Sequence, residues 1–385
     1  MGFPMGVNPE AMCHESWVGV ERILCVRMDT LGDVLMTTPA IRALKYSSPK
    51  RRITLMTSAS GAAAGRLISE VDDVLVYDAP WMKAASSHVT ARPGLDLDMV
   101  ERLRRTSFDA AVIFTVYSQS ALPAAMLCYL ADIPRRLAHC RENPYELLTQ
   151  WVRETEPDTC LRHEVRRQLD LVATVGAHTN DERLSLAIPD EVNCSVGKML
   201  ARVIEDGRPW VVIHAGATAA SRRYPPDMFA IVGRRLVQDF GYEVVFTGTE
   251  PERDLIESIQ AEMGVTSHSL VGALDLSAFA AVLARASLLI SNNTGAVHVA
   301  AAVGTPVVDL YALTNPQHTP WQVPHRVLFQ DVPCKYCYKS VCPEGHHDCL
   351  RLVEPARVLN AAAELLRRPA APTLTGGVSL VHTGN

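Results

Sequence analysis

No apolar run in the 385-residue sequence approaches the ~18 residues that a membrane-spanning helix needs, so a helical membrane anchor is not expected. Residues 1–17 lack a basic segment followed by an apolar core, which argues against a secretory signal. Gly6 stands where N-myristoylation wants Ser or Thr. Positive charge is not in excess. The formal net charge of −5 disfavours broad nucleic-acid binding, while leaving room for a local basic pocket. No G-x-G-x-x-G follows the first apolar run, which argues against a plain NAD enzyme. What is present, 48% hydrophobic and 21% charged residues, suits a soluble globular protein. The length suffices for two α/β domains of ~100–200 residues each. The expected location is the cytoplasm, where ten cysteines read as thiols or metal ligands rather than a disulfide scaffold.

Along the chain, residues 1–20 read as a loose leader and 23–26 as a first strand, apolar on both faces as a central parallel strand is. Residues 34–45 follow as a helix, which Pro39 either kinks or makes regular only from that point. Strands are expected at 53–56, 74–77 and 110–114, with helices at 62–68, 99–105 and 119–129 and an exposed loop at 86–98. Arg135, Arg136, His139 and Arg141 form a basic cluster, either a solvated face or a surface for an anionic acceptor. Residues 180–193 are the expected linker, and a helix at 196–205 opens the second half. There, strands at 210–213, 243–246, 270–272, 288–290 and 305–310 alternate with helices at 227–237, 252–263, 277–285 and 296–303, the last stopped by Gly304. The tail, 369–385, is expected to be disordered. The alternation predicts an α/β fold of two doubly wound domains, 1–190 and 191–368, each on a parallel sheet. Ligands of such sheets bind at the carboxyl ends of the strands. Those ends carry Gly32-Asp33, His214 to Thr218, Thr247 to Glu250 and Asn293 to Gly295, so the site is expected between the domains.

Asn293, Thr294 and Gly295 stand where a strand hands over to a helix, whose free N–H groups point at anything anionic. The plain alternative is an ordinary connection of a doubly wound sheet. Asp33 either caps the helix it begins or serves as a general base facing the cleft. Arg222 and Arg223 follow the small-residue loop after the strand at 210–213; one of them can clamp a diphosphate, or both are surface arginines. His214 and His298 are either satisfied structural histidines or ligand contacts. Glu250 either takes a ribose hydroxyl or caps the helix after it. Cys334-x2-Cys337-x4-Cys342-x6-Cys349, enclosing His346 and His347, has the ligand types for a structural zinc ion, with reduced thiols and paired disulfides as alternatives.

Together these stretches resemble one family. Ile23-Leu24-Cys25-Val26-Arg27 with Leu31-Gly32-Asp33-Val34-Leu35-Met36-Thr37-Thr38-Pro39 is similar to the N-terminal motif of glycosyltransferase family 9, the ADP-heptose:lipopolysaccharide heptosyltransferases. His214-Ala215-Gly216-Ala217, Arg222-Arg223-Tyr224-Pro225-Pro226 and the stretch from Ser291 through Val308 resemble its donor-side motifs. The resemblance, over about residues 22–365, implies a GT-B fold, two Rossmann-like domains with the site between them. It implies inverting transfer of a sugar, most often heptose from ADP-heptose, onto an acceptor hydroxyl, without a metal or other catalytic cofactor. Asp33 falls on the family's base, Arg222 on its phosphate contact, and Thr294-Gly295 on its diphosphate cradle, with His214, Gly216, Glu250 and His298 nearby. Asn293 departs from the aspartate many relatives carry there. The implied partners are a nucleotide-sugar donor and a glycolipid or small-molecule acceptor, with peripheral contact at the inner face of a membrane and no nucleic acid. A transferase using another donor or a non-lipid acceptor, a sugar-nucleotide epimerase and a non-catalytic binder are the alternatives.

Overall fold

The computed structural model describes residues 17–82, 93–205, 207–312 and 316–367. Residues 1–16 of the expected leader, 86–92 of the expected loop and the tail lie outside them.

The chain builds two all-parallel six-stranded sheets. The first contains β1 (Arg22–Arg27), β2 (Arg52–Thr57), β3 (Asp73–Val76), β4 (Ala110–Ile113), β5 (Arg135–Cys140) and β6 (Gln150–Arg153), in the order β3-β2-β1-β4-β5-β6. Its helices are α1 (Leu31–Tyr46), α2 (Ala59–Gly65), α3 (Pro93–Thr106), α4 (Leu122–Leu130) and α5 (Glu164–Ala173). The second half runs α6 (Asp190–Leu200), β7 (Trp210–His214), α7 (Pro226–Gln238), β8 (Glu243–Phe246), α8 (Arg253–Met263), β9 (His268–Ser269) and α9 (Leu276–Leu283). It continues with β10 (Leu289–Asn292), α10 (Gly295–Val303), β11 (Val307–Leu310), β12 (His325–Leu328), α11 (Asp348–Arg351) and α12 (Pro355–Leu366), its strands ordered β12-β11-β10-β7-β8-β9. Both orders are the Rossmann order, so each sheet has a switch point where connections leave in opposite directions. These lie between β1 and β4 and between β7 and β10.

The central strands form where continuous apolar runs stand between turns. β1 pairs Ile23 with Ile53 on one side and Ala110 on the other, and all of it beyond Arg22 is buried. Helix α1 runs through Pro39 without a break. The carbonyl that Pro39 cannot serve, that of Leu35, accepts the Thr38 hydroxyl at 2.7 Å instead, so the missing N–H leaves no orphan acceptor. Gly304 ends α10 at φ 84°, a conformation that a side chain disfavours. The residues around α1, α5, α6, α9 and α10 bury into one apolar cluster that takes in strands of both sheets, Cys25 and Ile53 from one, Val212 and Leu289 from the other.

Several expectations are corrected. The leader ends early, because Trp17 and Val20 are buried and the Trp17 indole donates to Gln150 on β6. Residues 93–98 begin α3 rather than finish a loop. The basic cluster is mostly strand: Arg136 and His139 are buried in β5, with Arg136 donating to the carbonyls of Leu147 (2.8 Å) and Glu146 (2.7 Å). The expected linker is strapped to the first sheet's helices, since Arg42 holds the carbonyls of Asp181 and Arg183 and the Ser185 N–H donates to Thr38. Helix α6 therefore starts at Asp190, before the expected position. Residues 270–272 form a turn after the short β9.

Candidate active site

The loop after β1 places a charged knot at the first switch point. Arg27 closes β1 after the apolar run Ile23 to Val26 and is fully buried. Its guanidinium lies 2.9 Å from Glu164 on α5, 3.3 Å from Asp33 and 3.0 Å from Asp29, the last an ion pair outside hydrogen-bond geometry. Asp29 also accepts the Gln119 amide at 2.6 Å. Three carboxylates around one cation cannot all be equally content. Burial pushes the Asp29 carboxyl upward, and the Asp33 and Glu164 charges add to this against Arg27. Burial also opposes the charge on Asp33, but Arg27, His318 and two bonds from Thr30 outweigh it and hold Asp33 down at about 2. Asp33 is thus ionised at any physiological pH.

Asp33 does cap its helix: Oδ2 accepts the Thr30 N–H at 3.1 Å and its hydroxyl at 2.8 Å. The cap leaves the carboxylate open to the cleft, with 14% of the side chain exposed. Facing it is α10. Gly32 touches the His298 ring, so that a Cβ on Gly32 would lie 2.7 Å from His298 Cδ2, and a Cβ on Gly295 would lie 3.2 Å from Leu31 Cδ2. The turn that carries the expected base therefore packs against the helix that begins at the expected diphosphate cradle. His298 is buried, and burial together with the nearby His318 holds it down at about 3, so the ring is neutral despite Asp33.

Arg222 is the arginine that faces this centre; its charge acts on both His298 and Asp309. Arg223 instead donates to the Ala217 carbonyl at 2.8 Å. Asn292, which the sequence reading passed over, fastens the donor loop to β10 by donating to the Ala215 carbonyl (2.7 Å) and accepting the Tyr224 N–H (2.9 Å). Thr294 caps α10 by accepting the Ala296 N–H. Asn293 donates to Asp309 Oδ2 at 3.0 Å and to the His318 carbonyl at 2.8 Å. His214 bonds the Thr247 hydroxyl at 3.1 Å and is held neutral by burial. Gly216 packs against the Glu252 carboxylate, which a side chain at 216 would have to displace. Glu252, not Glu250, forms the cap with Thr249, while Glu250 is engaged by Arg253 at 2.6 and 2.7 Å.

Arg27, Asp29, Glu164, His318 and Asp309 were not among the expected site residues. A sign of two of them is present in the sequence: Arg27 and Asp309 are charged residues set in apolar strands, which need buried partners. Asp309 has been driven by burial up to about 8, against the pull of Asn293 and Arg222. The native state therefore binds a proton between about pH 4 and 8 that the unfolded chain releases, and stability falls as pH rises through that window. Asp309→Asn, which mimics the neutral acid, is expected to gain on the wild type by up to roughly 1.4 kcal/mol per pH unit there. Melting curves of both proteins from pH 5 to 8 test this; a constant gap would mean that Asp309 is already charged.

The four cysteines Cys334, Cys337, Cys342 and Cys349 are free thiols that, with His346, line a cavity of about 20 Å³. Cys334 Sγ lies 3.7 Å from His346 Nε2. Among the described residues, however, no group of three or more His, Cys, Asp or Glu side chains is placed to hold a metal ion, so the zinc expectation gains no support. The loop instead braces the donor side, its Lys339 and Ser340 carbonyls accepting the Ser221 hydroxyl at 2.6 Å and N–H at 3.1 Å.

The model of glycosyltransferase family 9 (heptosyltransferase) matches residues 97–347, more than half of the chain. The chain belongs to glycosyltransferase family 9. This family 9 chain is similar to lipopolysaccharide heptosyltransferase 2 of Escherichia coli K12, 24% identical over 90% of this chain and 98% of that one. It is 25% identical to lipopolysaccharide heptosyltransferase 1 of Pseudomonas aeruginosa, over 83% and 87%. Among solved structures, a family 9 glycosyltransferase from Veillonella parvula superposes at a TM-score of 0.73 and 22% identity, covering 90% of this chain and 97% of that one. E. coli ADP-heptose lipopolysaccharide heptosyltransferase II superposes at 0.70 and 22%, covering 90% and 98%. The family 9 chain is a glycosyltransferase with the GT-B fold. No helix among its described residues is long and apolar enough to cross a membrane.

Proposed function

We propose that the protein transfers heptose from ADP-heptose to an acceptor hydroxyl of the lipopolysaccharide core, inverting the anomeric carbon and using no catalytic metal. The observation that carries this reading is the ionised Asp33 carboxylate on the first turn of α1, whose Leu31 and Gly32 pack against Gly295 and His298 of α10. The names of the relatives support the choice of sugar, and E. coli heptosyltransferase WaaC was solved with ADP. Residues 1–190 then serve the acceptor and 191–368 the donor.

In this mechanism the acceptor hydroxyl reaches Asp33 through its exposed edge and gives up its proton as its oxygen attacks the anomeric carbon. The nucleoside diphosphate leaves on the opposite side. Arg222 and the N–H groups at Thr294-Gly295 are already aimed at the charge that develops on it. Neutral His298 adds bulk without holding the product by charge. A base held at about 2 is weak at rest. A bound diphosphate brings like charge toward Asp33, which raises its proton affinity when the acceptor needs it. His214, Gly216 and Asn293 border the donor, whereas Glu250 reaches a ribose hydroxyl only by leaving Arg253. An acceptor of this class implies peripheral contact with the inner face of a membrane.

Calorimetric titration with ADP, GDP, UDP and dTDP tests the donor. ADP is expected to bind at least tenfold more tightly than the others. Preference for another base would overturn the donor and keep the mechanism; turnover of ADP-heptose without acceptor would point to an epimerase, and binding without turnover to a non-catalytic binder.

A further inference from the structure

β11 is apolar at Val307, Val308 and Leu310, and Asp309 between them is fully buried. Its Oδ1 has no hydrogen-bond partner among the described residues. An aliphatic side chain there would avoid the cost of a buried, half-satisfied carboxyl, so the fold alone gives no reason for Asp309. Its Oδ2 accepts the Asn293 amide at 3.0 Å, at the strand-to-helix handover where the donor is placed.

Asn293 has a single amide nitrogen with two hydrogens, and both are spent: one on Asp309 Oδ2, one on the His318 carbonyl. This orientation is dictated by chemistry. A backbone carbonyl only accepts, so turning the amide over would set oxygen against the His318 oxygen. What Asn293 has left for a ligand is its carbonyl oxygen, an acceptor without charge.

We infer that Asp309 is a positioning residue for the donor, holding Asn293 so that it reads a hydrogen-bond-donating group of the sugar, a hydroxyl, through its carbonyl oxygen. The inference rests on the donor site proposed above. An acceptor at position 293 keeps the hydroxyl recognition that a carboxylate offers, and its neutrality spares the nearby diphosphate a repulsive charge. Asp309 acts through Asn293 and touches no substrate. Without it, one amide hydrogen is unpaired and only the His318 carbonyl restrains the side chain, which can then swing its oxygen away from the sugar hydroxyl.

The test compares Asp309→Leu and Asp309→Asn with the wild type, titrating the full chain with ADP and with ADP-heptose. Asp309→Leu is expected to lose roughly tenfold to a hundredfold in ADP-heptose affinity, as for a polar ligand group left unpaired, with ADP affinity kept within about threefold. Asp309→Asn retains an acceptor for the Asn293 amide and is expected to restore ADP-heptose binding to within about threefold of wild type. Retained ADP binding also reports that the variants fold. Unchanged ADP-heptose affinity in Asp309→Leu, equal losses for both ligands, or failure of Asp309→Asn to rescue would each overturn the inference while leaving the proposed function standing. Wild-type protein that binds ADP but not ADP-heptose would overturn the proposed donor first, and this inference with it.

Discussion

Asp33→Asn is expected to lower the rate of heptosyl transfer by roughly 10²–10⁴-fold, the usual worth of a positioned general base, with ADP affinity unchanged. An asparagine there still accepts the Thr30 N–H and hydroxyl through its oxygen, so the cap that starts α1 survives, and Arg27 keeps Asp29 and Glu164 as partners. What is lost is the ability to take a proton. The two roles of Asp33 are thereby separated: a residue that only caps would leave the variant nearly as active as wild type. Single-turnover kinetics beside calorimetry decide between them. Loss of ADP binding in parallel with activity would mean that Asp33 supports the donor pocket and that the base lies elsewhere.

Arg27→Met is expected to have the largest effect on stability. The substitution removes the cation shared by Asp29, Asp33 and Glu164, all of them wholly or largely buried, and leaves three carboxylates facing one another. Breaking a buried pair by deleting one partner costs roughly 3–5 kcal/mol, because the remaining charge is desolvated and unpaired. The deficit has a pH signature. With Arg27 gone, the carboxyls hold protons more tightly in the folded than in the unfolded state, so the variant recovers stability as pH falls toward 5. Adding Glu164→Gln removes one of the stranded charges and is expected to recover part of the loss. Urea unfolding at pH 5 and 7.5 measures both effects, and a loss below about 1 kcal/mol at pH 7.5 would show that the knot is well hydrated.

The parts of the fold legible from sequence are those whose strands are apolar on both faces. β1, β7 and β10 announce themselves as short apolar runs ending in small or polar residues, and the strand-to-helix handovers at Gly32-Asp33 and Asn293-Gly295 follow from them. The failures share a cause. β5, α5 and the residue just after β6 carry Arg136, His139, Arg167, Glu164 and Glu154, whose charges suggest a surface, yet these residues are buried because they pair with one another and with carbonyls. Periodicity registers polarity and is blind to partners that arrive from far along the chain, such as Arg27 meeting Glu164. The same blindness hid Asp309, which only the return of β11 beside β10 brings to Asn293. It also hid what holds the linker, since the contacts fixing residues 181–187 come from Arg42, Thr38 and Leu67.

The contact of Gly32 with the His298 ring bears on how such enzymes can be recombined. One half of the chain supplies the notch and the other the ring that fills it, so positions 32 and 298 must fit one another. A chimera that borrows its first half from a relative with a side chain at position 32 would seat the halves too far apart for reaction, even if each half folded perfectly. Shuffling for new acceptors therefore has a simple compatibility rule: carry the glycine with the histidine, or change both.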